Sequence, residues 1–484
     1  MLKYIFVLPE LLTRYFTSFS YGMIELTLNQ IAQIVGGQVI NSDGSLITSA
    51  YPVINSNQAS DKTFFAAFAG ANVDGHDYVE DAISKGAQFA LVSKDCRFPA
   101  IKVADVRRAL SDLAIYVRNS LTNLQVVGIT GSQGKTTTKD LLRHILAVSG
   151  ETIAPEESLN NELGVPLLIL RCTKTTKFCI VEMGARHVGD ISYLADIAKP
   201  HVGVVLTVGT AHLGEFGSRE LIAQAKSELI TALAPGATAI LGTYDEFTPN
   251  MSVPTGVNRI LFGEKPKCEV RAADVEVREG RAHFDLVTPD GRAAVGLQLL
   301  GMHQISNALA AAAAATALKI PIETISAALS TAEVSSKWRM EISQVGEITL
   351  INDSYNANPE SVAAALRTLA LISQESGGVS WAILGKMQEL GESSAAEHAA
   401  IGRLVCEIGI DNLVAVGIKD YLSDIDSNEE GEASEVHYFD TKEDALAIVE
   451  HFAPGDVVLV KASRSGEFNL LVDLIKERLL EANK

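Results

Sequence analysis

From residue 125 onward, short apolar segments alternate with segments of helical periodicity, and this alternation restricts the fold more than any other feature of the chain. The apolar runs QVVGI, KFCIVEMGA and HVGVVLTVG are each followed by a helical pattern. Strands that are apolar along their whole length and are joined by helices form parallel sheets covered on both faces. A second series of the same kind begins near residue 345. The sequence therefore predicts an α/β protein with two separate parallel-sheet units.

The chain divides into three expected domains. Residues 23–106 favour a small N-terminal α/β domain, in which a short amphipathic helix precedes strand-like runs. Residues 107–333 form the central domain with the first parallel sheet. Within it, residues 256–300 alternate with period two around Glu-Gly and Pro-Asp-Gly turns, which predicts an antiparallel appendage. Residues 334–484 contain the second series and predict a C-terminal, Rossmann-like doubly wound domain.

The first 22 residues fit none of these domains. They begin with an apolar patch, but Pro9, Glu10 and Arg14 interrupt it and no signal-peptidase site follows. We interpret residues 1–22 as an extension upstream of the first domain. No apolar run in the chain approaches the ~18 residues of a membrane span, so no span is predicted.

The composition argues against some classes of partner. The 484-residue chain has a formal net charge of −19 at pH 7, whereas nucleic-acid-binding domains are typically basic, so we expect no nucleic-acid partner. The five cysteines are scattered and include no C-x-x-C pair, which indicates neither a metal site nor a disulfide framework. This pattern favours a reducing, cytoplasmic compartment.

The segment GITGSQGKTTTKD, residues 128–140, has the residues of a phosphate-binding loop. A strict Walker loop, G-x-x-x-x-G-K-[ST], requires a glycine where Ile129 stands. The chemistry is nevertheless present: glycines at a strand-to-helix junction, Lys135 to reach the phosphates and the Thr136 hydroxyl to hold Mg²⁺. The alternative, a glycine turn with a surface lysine, fits this junction poorly.

Two further polar side chains follow neighbouring apolar runs. Glu182 ends CIVE, and His212 comes after VVLTVGTA. Alone, the first could cap a helix and the second could be packed in a loop. Because parallel strands place their carboxyl ends at one sheet edge, Thr136, Glu182 and His212 are expected to meet there. Together they could hold one or two Mg²⁺ ions beside a triphosphate.

A series of motifs resembles the Mur ligases of peptidoglycan synthesis. In chain order they are GITGSQGKTTTKD, SLNNELGVPLLIL, VEMGARHVGDISYLADIAKP, AKSEL, GMHQISNALAAAAAA, WRME, NDSYNANPES and LGKMQELGESS. The resemblance covers roughly residues 23–480. The family's G-x-x-G-K-T loop accounts for the failure of the strict Walker count, and the resemblance implies ATP and Mg²⁺ as cofactors.

The resemblance also implies roles for individual positions. The catalytic residues would be Lys135, Glu182, His212 and Lys226. The ATP-binding residues would be Gly131, Ser132, Gln133, Gly134, Lys135, Thr136, Thr137, Asn307, Arg339 and Asp353. The metal-binding residues would be Thr136, Glu182, His212 and Lys226, the last as a carbamate. The substrate-binding residues would be Asn160, Asn161, Asn356, Asn358 and Lys386.

Lys226 stands beside an apolar helical stripe. We expect that stripe to contain Leu221, Ile222, Ala225, Leu229 and Ile230. Most lysines are exposed. A carbamate, in contrast, forms only on an unprotonated amine, so burial should lower the pKa of Lys226.

The motifs NDSYNANPES and LGKMQELGESS are most similar to those of the dipeptide-adding branch of the family. That branch implies ATP-dependent joining of D-alanyl-D-alanine to UDP-N-acetylmuramoyl-tripeptide through an acyl phosphate, by a monomer. Three positions depart from the family pattern: the stretch INSNQAS, with Asn57 and Gln58, in the first domain, Thr207 before Ala-His, and Gln304.

Other functions share parts of this pattern. A sister Mur ligase or a folylpolyglutamate-type ligase would have the same loop but a different last domain. A P-loop kinase would need no third domain. A catalytically inactive nucleotide-binding scaffold would have no use for the metal-binding side chains.

Overall fold

The computed structural model describes residues 22–70, 73–156, 159–333, 336–423, 425 and 435–482. The expected extension, residues 1–22, lies outside the described residues except for Gly22. The described chain forms an α/β protein with three larger sheets and one two-stranded sheet.

The N-terminal unit contains a five-stranded sheet in the order β2-β7-β6-β5-β4, in which only β2 runs antiparallel to its neighbour. Its strands are β1 (Leu26–Thr27), β2 (Gln38–Ile40), β3 (Ile47–Thr48), β4 (Tyr51–Val53), β5 (Thr63–Ala66), β6 (Ala90–Val92) and β7 (Ala100–Lys102). Its helices are α1 (Leu28–Ile34) and α2 (Val79–Ser84). Thr27 and Gln30 form a capping box that begins α1, and Leu28 and Ile31 turn its apolar face inward.

The central unit contains a nine-stranded sheet in the order β16-β15-β14-β13-β12-β11-β8-β10-β9. Its strands are β8 (Gln125–Thr130), β9 (Thr152–Ile153), β10 (Phe178–Glu182), β11 (Val202–Val205), β12 (Thr238–Gly242), β13 (Asn258–Gly263), β14 (Val270–Arg278), β15 (Arg281–Thr288) and β16 (Gly291–Leu300). Its helices are α3 (Val106–Ser120), α4 (Lys135–Ala147), α5 (Gly164–Ile169), α6 (Asp190–Ala198), α7 (Leu213–Phe216), α8 (Arg219–Thr231), α9 (Gln304–Ala317) and α10 (Ile322–Thr331). One hydrophobic core includes residues of β5, α3 and β8 and therefore joins the first two units.

The antiparallel part of this sheet is shorter than the sequence predicts. Strand β13 pairs in parallel with β12, and β14 begins in parallel with β13. Only β14, β15 and β16 are antiparallel to one another. The hairpins therefore extend the parallel sheet at its edge, because β13 continues the series of apolar strands before the period-two pattern begins.

Helix α9 packs closely against α4, the helix that follows the phosphate loop. Its alanines from Ala310 to Ala315 are fully buried. Small side chains let two helix backbones approach each other, so this alanine-rich segment is a packing element. It also carries Asn307 to the phosphate loop.

The C-terminal unit contains a six-stranded sheet in the order β17-β18-β22-β19-β20-β21, parallel except for the β17–β18 hairpin. Its strands are β17 (Glu341–Val345), β18 (Ile348–Asn352), β19 (Ser380–Leu384), β20 (Asn412–Val416), β21 (Glu435–Phe439) and β22 (Val457–Lys461). Its helices are α11 (Pro359–Ser376), α12 (Ser394–Glu407), α13 (Lys442–Ala445) and α14 (Phe468–Ala482). Hydrophobic cores cover both faces of the sheet, as its apolar strands predict.

Short 3₁₀ turns connect some of these elements. They lie at Ser56–Gln58, Gly75–Tyr78, Thr248–Asn250, Gly391–Ser393, Asp420–Leu422, Leu446–His451 and Arg464–Gly466. None of the helices in the described ranges combines the length and the apolar character that a membrane span requires.

Candidate active site

A cavity of about 910 Å³ lies at the carboxyl ends of β8 and β10, and residues of the C-terminal unit close its other side. It brings together most of the residues that the sequence singles out. Those that line it are Ser132, Gln133, Gly134, Lys135, Thr136, Thr137, Asn160, Asn161, Glu182, His212, Lys226, Asn307, Arg339, Asp353, Asn356 and Asn358. Gly131 and Lys386 do not line it.

The phosphate loop connects β8 to α4. Gly134 caps the helix in the left-handed region, with φ of 81°, and a Cβ there would lie 2.3 Å from Asn307 Oδ1. Only glycine fits this position without moving Asn307. Gly131 is the first residue of this loop, and a Cβ there would be 2.8 Å from Leu206 Cβ. The close packing of the loop against Leu206 therefore depends on a glycine at this position.

Lys135 is the first residue of α4, and its Nζ donates to the Gly131 carbonyl over 2.6 Å. The ammonium therefore folds back over its own loop. Burial lowers the pKa of Lys135, while the Glu182 carboxylate raises it and Arg339 lowers it. These neighbours place a cation, an anion and a second cation at one end of the cavity.

Glu182 is a buried carboxylate at the end of β10, 3% exposed. Its Oε2 accepts from Thr136 Oγ1 over 3.0 Å, and its Oε1 accepts from Asn160 Nδ2 over 3.0 Å. Both hydrogen-bond donors are neutral groups. A carboxylate and a hydroxyl are ligands that fit Mg²⁺. Among the described residues, no three His, Cys, Asp or Glu side chains form a metal site by themselves.

His212 precedes α7 in the left-handed region, with φ of 63°. Its Nδ1 lies 2.5 Å from Glu389 Oε2, a carboxylate of the C-terminal unit. Burial lowers the pKa of His212, Glu389 raises it, and the ammonium groups of Lys135 and Lys226 lower it. The net effect keeps the imidazole neutral near pH 7, which is the form that ligates metals.

Lys226 lies on α8 and is 3% exposed, as the sequence analysis anticipates for a carbamylated lysine. Burial, together with the charge of Lys135, lowers its pKa to about 7. The expected apolar stripe needs a correction, because Leu221 is 41% exposed. The helical period places Ile222, Ala225 and Lys226 on the inner face and turns Leu221 outward.

Asn307 of the central unit and Arg339 of the C-terminal unit both line the cavity. Asn307 is buried on α9, and its Nδ2 donates to Gln304 Oε1 over 2.8 Å. The Arg339 guanidinium lies over the Tyr355 ring, 3.8 Å from its centroid. A stacked guanidinium of this kind presents a flat surface to the cavity.

Asp353 pairs with a lysine that the sequence analysis does not single out. Lys461 Nζ lies 2.5 Å from Asp353 Oδ2, and it also donates to the Asn356 carbonyl over 2.9 Å. Nearby, burial lowers the pKa of His303 to about 4, with Asp353 raising it and Lys461 lowering it. Asp353 thus organises the C-terminal side of the cavity.

Asn358 has a structural role at the start of α11. Its Oδ1 accepts from Ser361 N over 2.8 Å, and Ser361 Oγ accepts from Asn358 N over 3.0 Å, which forms a capping box. The side-chain oxygen is therefore committed to the helix cap. Asn356 is exposed at the same edge. Lys386 is also exposed and does not line the cavity, whereas Gln388 and Glu389 do.

Some cavity residues escape the sequence reasoning. They include Arg186, His303, Glu389, Lys461, Ser463 and Arg464. Lys461 and Ser463 end or follow β22, so the strand-end rule that identifies Glu182 could also have found them. Glu389 could not be found in this way, because its role depends on how two units meet.

Comparison with known proteins agrees with this architecture. The Mur ligase family catalytic domain matches residues 53–118, the Mur ligase middle domain matches residues 129–315, and the Mur ligase glutamate ligase domain matches residues 338–464. A UDP-N-acetylmuramoyl-tripeptide–D-alanyl-D-alanine ligase of Mycobacterium tuberculosis (strain ATCC 25618 / H37Rv) is 39% identical over 501 residues, which cover 94% of this chain and 98% of that protein.

Two solved structures are also similar. A crystal structure of MurF from Acinetobacter baumannii has a TM-score of 0.83 and 33% identity, and the match covers 94% of this chain and 100% of that one. The MurF ligase from Thermotoga maritima in complex with ADP has a TM-score of 0.75 and 28% identity, covering 90% of this chain and 98% of that one. Since these matches extend over the sheets, the phosphate loop and the cavity, the chain belongs to the Mur ligase family.

Proposed function

We propose that this Mur ligase uses ATP to join D-alanyl-D-alanine to UDP-N-acetylmuramoyl-tripeptide in peptidoglycan precursor synthesis. The carrying observation is the single cavity in which the phosphate loop and Glu182 face the C-terminal segment around Asn356. That arrangement brings an ATP site and an amine-acceptor site together. The relative that is 39% identical is named as a UDP-N-acetylmuramoyl-tripeptide–D-alanyl-D-alanine ligase, and the similar MurF ligase of Thermotoga maritima is in complex with ADP.

A carboxylate is a poor acyl donor, so the reaction needs activation. The tripeptide carboxylate takes the γ-phosphoryl group of ATP, which gives an acyl phosphate and ADP. The dipeptide amine then attacks the acyl carbon, and phosphate leaves from the tetrahedral intermediate. Since the chemistry depends on positioning and charge neutralisation, no nucleophilic side chain is required.

The residues of the cavity divide this work. Lys135, freed from the Gly131 carbonyl, balances the charge of the transferring group. Asn307 and Arg339 line the part of the cavity proposed for the nucleotide. The segment around Asn160 lines the part proposed for the UDP-linked substrate. Lys461, which already holds the Asn356 carbonyl, supplies a cation on the C-terminal side.

Mg²⁺ fits the Thr136 and Glu182 oxygens, with His212 and a carbamylated Lys226 completing the expected set. When bound, the ion supplies charge stabilisation at the phosphates. Glu182 keeps its carboxylate oriented through Thr136 and Asn160.

The proposal also includes the cellular compartment, the oligomeric state and the roles of the three domains. UDP-linked precursors and the five free cysteines are compatible with a reaction in the cytoplasm. We also propose a monomer as the working unit. Residues 23–106, 107–333 and 334–484 serve in this scheme as the UDP-sugar, ATP and dipeptide domains.

The acceptor should be the dipeptide. ADP release should require both the UDP-muramoyl tripeptide and D-Ala-D-Ala, because the C-terminal segment offers amide and cationic groups for a peptide bond and a carboxylate. A coupled ADP assay with a panel of UDP-muramoyl peptides and amines measures this. D-Ala alone reacting as fast as D-Ala-D-Ala would favour a sister ligase, and ADP release without the tripeptide would favour a kinase or an ATPase.

The Glu182→Ala enzyme should require a higher Mg²⁺ concentration for activity, while its affinity for the nucleotide should change less. The buried carboxylate contacts only neutral donors among its hydrogen-bond partners, so its charge is available to a metal. Titration of activity with Mg²⁺ should show partial rescue at high concentration, and Glu182→Gln should be similar to Glu182→Ala. Loss of thermal stability without any rescue would instead make Glu182 a structural residue.

A further inference from the structure

The loop that follows β11, taken here as residues 206–214 and so including the first two residues of α7, is held by the C-terminal unit as well as by its own unit. It carries His212 and passes beside the phosphate loop. Two carboxylates of the C-terminal unit contact it, Glu360 and Glu389. Neither is among the residues that the sequence singles out.

Glu360 grips this loop through both of its carboxylate oxygens. Its Oε1 accepts from the Thr210 amide over 2.7 Å, and its Oε2 accepts from Thr210 Oγ1 over 3.0 Å. A Cβ on the preceding Gly209 would lie 2.6 Å from Oε1. The close approach of the Glu360 carboxylate therefore depends on a glycine at position 209, where any side chain would collide with it.

The 206–214 loop is in turn hydrogen-bonded to the phosphate loop. The Gly209 amide donates to Ser132 Oγ over 2.8 Å, and the Ser132 amide donates to the Thr207 carbonyl over 2.9 Å. Ser132 lies three residues before Lys135 in the phosphate loop. Hydrogen bonds at each end, joined by the peptide bond between Gly209 and Thr210, therefore connect Glu360 to Ser132 of the phosphate loop.

Glu389 makes a second contact to the same loop. Its carbonyl accepts from Gly214 N over 3.0 Å, and its carboxylate lies beside His212. Glu389 and His212 both have left-handed backbones, with φ of 64° and 63°. Non-glycine residues adopt this conformation at a cost, and they keep it only where surrounding contacts fix them.

Glu360 is also adjacent to the segment that faces the dipeptide in the proposed function. It is the second residue of α11, and Asn358 caps that helix. A shift of the Asn356–Asn358 segment would therefore move Glu360 with it. The position of this helix start is thereby linked to the phosphate loop.

We propose that Glu360 is a positioning residue, which transmits docking of the C-terminal unit to the phosphate loop through Thr210 and Ser132. This role rests on the proposed ligase function, and it adds a specific set of contacts that connect the two substrate sites. Glu360 touches no reacting atom. Its contribution is to hold the 206–214 loop, and through it Ser132, in the arrangement that phosphoryl transfer needs.

Steady-state kinetics test the functional part. Glu360→Ala should lower kcat/KM for D-Ala-D-Ala by about tenfold or more, since a hydrogen-bonded charge contributes on that scale. Binary ADP affinity should change less, and Glu360→Gln, which keeps an acceptor for the Thr210 amide, should restore part of the activity. Glu375→Ala, an exposed glutamate on the same helix, is the matched control and should resemble the wild type.

Hydrogen–deuterium exchange tests the contact without any assay of activity. Peptides covering residues 206–214 should exchange faster in Glu360→Ala than in wild type or Glu375→Ala, because the Thr210 amide loses its acceptor.

Thr210→Val, which removes the hydroxyl alone, should have a smaller kinetic effect, and the two changes together should be less than additive. Because a carboxylate at a helix start also stabilises the helix, Tm is measured for each variant.

The outcomes separate the two proposals. Inactivity of the wild-type enzyme with both substrates would refute the ligase function, while unchanged exchange in Glu360→Ala would refute the contact. Normal kcat/KM in Glu360→Ala, strict additivity with Thr210→Val, or an equal loss in Glu375→Ala would refute the positioning role.

Discussion

The Lys135→Ala enzyme should fold normally and lose at least ~100-fold in kcat, because removal of one preorganised charge-stabilising group costs roughly this much. The side chain is the cation of the phosphate loop. Within the described part of the chain, its ammonium hydrogen-bonds to the Gly131 carbonyl of its own loop, so removing the side chain should disturb the fold little. The neighbouring Glu182 carboxylate keeps its position through hydrogen bonds from Thr136 and Asn160.

Single-turnover measurement of ADP formation, together with a thermal melt, checks this expectation. Lys174→Ala is a suitable control, because Lys174 is an exposed lysine of the same central unit. Lys135→Arg should recover little, because a longer planar cation does not fit a loop shaped around a compact ammonium. A well-folded Lys135→Ala enzyme that retains more than half its activity would show that this loop does not position the transferring phosphate.

The Lys226→Ala enzyme should fold and bind ATP but turn over poorly, and small carboxylates should restore part of its activity. Lys226 is buried beside Lys135, and its pKa of about 7 leaves much of the amine neutral near physiological pH. A neutral amine can add to CO₂ with release of a proton, and the resulting carbamate is an anion. Formate or acetate could occupy the anion position that alanine vacates, whereas chloride supplies a control for ionic strength.

The same lysine predicts a dependence on pH and CO₂. The amine is mostly protonated below pH 7 and mostly neutral above it, so carbamylation should be favoured above pH 7. Enzyme depleted of CO₂ at pH 6 should be less active, and incubation with bicarbonate at pH 8 should restore it. Full activity of Lys226→Ala, or intact mass spectra that never show the added carbamate, would contradict this role while leaving the ligase proposal standing.

The alternation of apolar strands and helices was sufficient to predict two parallel sheets. It was insufficient to predict where the first sheet ends, because β13 is apolar enough to belong to either the parallel or the antiparallel part. Which edge a strand joins depends on neighbours that are distant in sequence. The period-two pattern of β14, β15 and β16 specified their mutual pairing but not their attachment to β13.

The strand-end rule brought Thr136, Glu182 and His212 to one cavity from the sequence alone. It missed Glu389, because no local pattern reveals that a carboxylate of one unit will lie beside a histidine of another. Asn358 illustrates a different difficulty. An asparagine before proline has the same sequence appearance whether it binds a ligand or caps a helix, and here its oxygen caps α11.

The alanine-rich face of α9 has a mechanical consequence. Alanine has no rotamer to change, so a seam of alanines cannot absorb a displacement by rearranging side chains. Helices α4 and α9 should therefore move as one stiff body, with the phosphate loop at one end of α4 and Asn307 anchored against Gly134. The distance between the phosphate loop and the Asn307 side chain is then fixed by the two helix backbones.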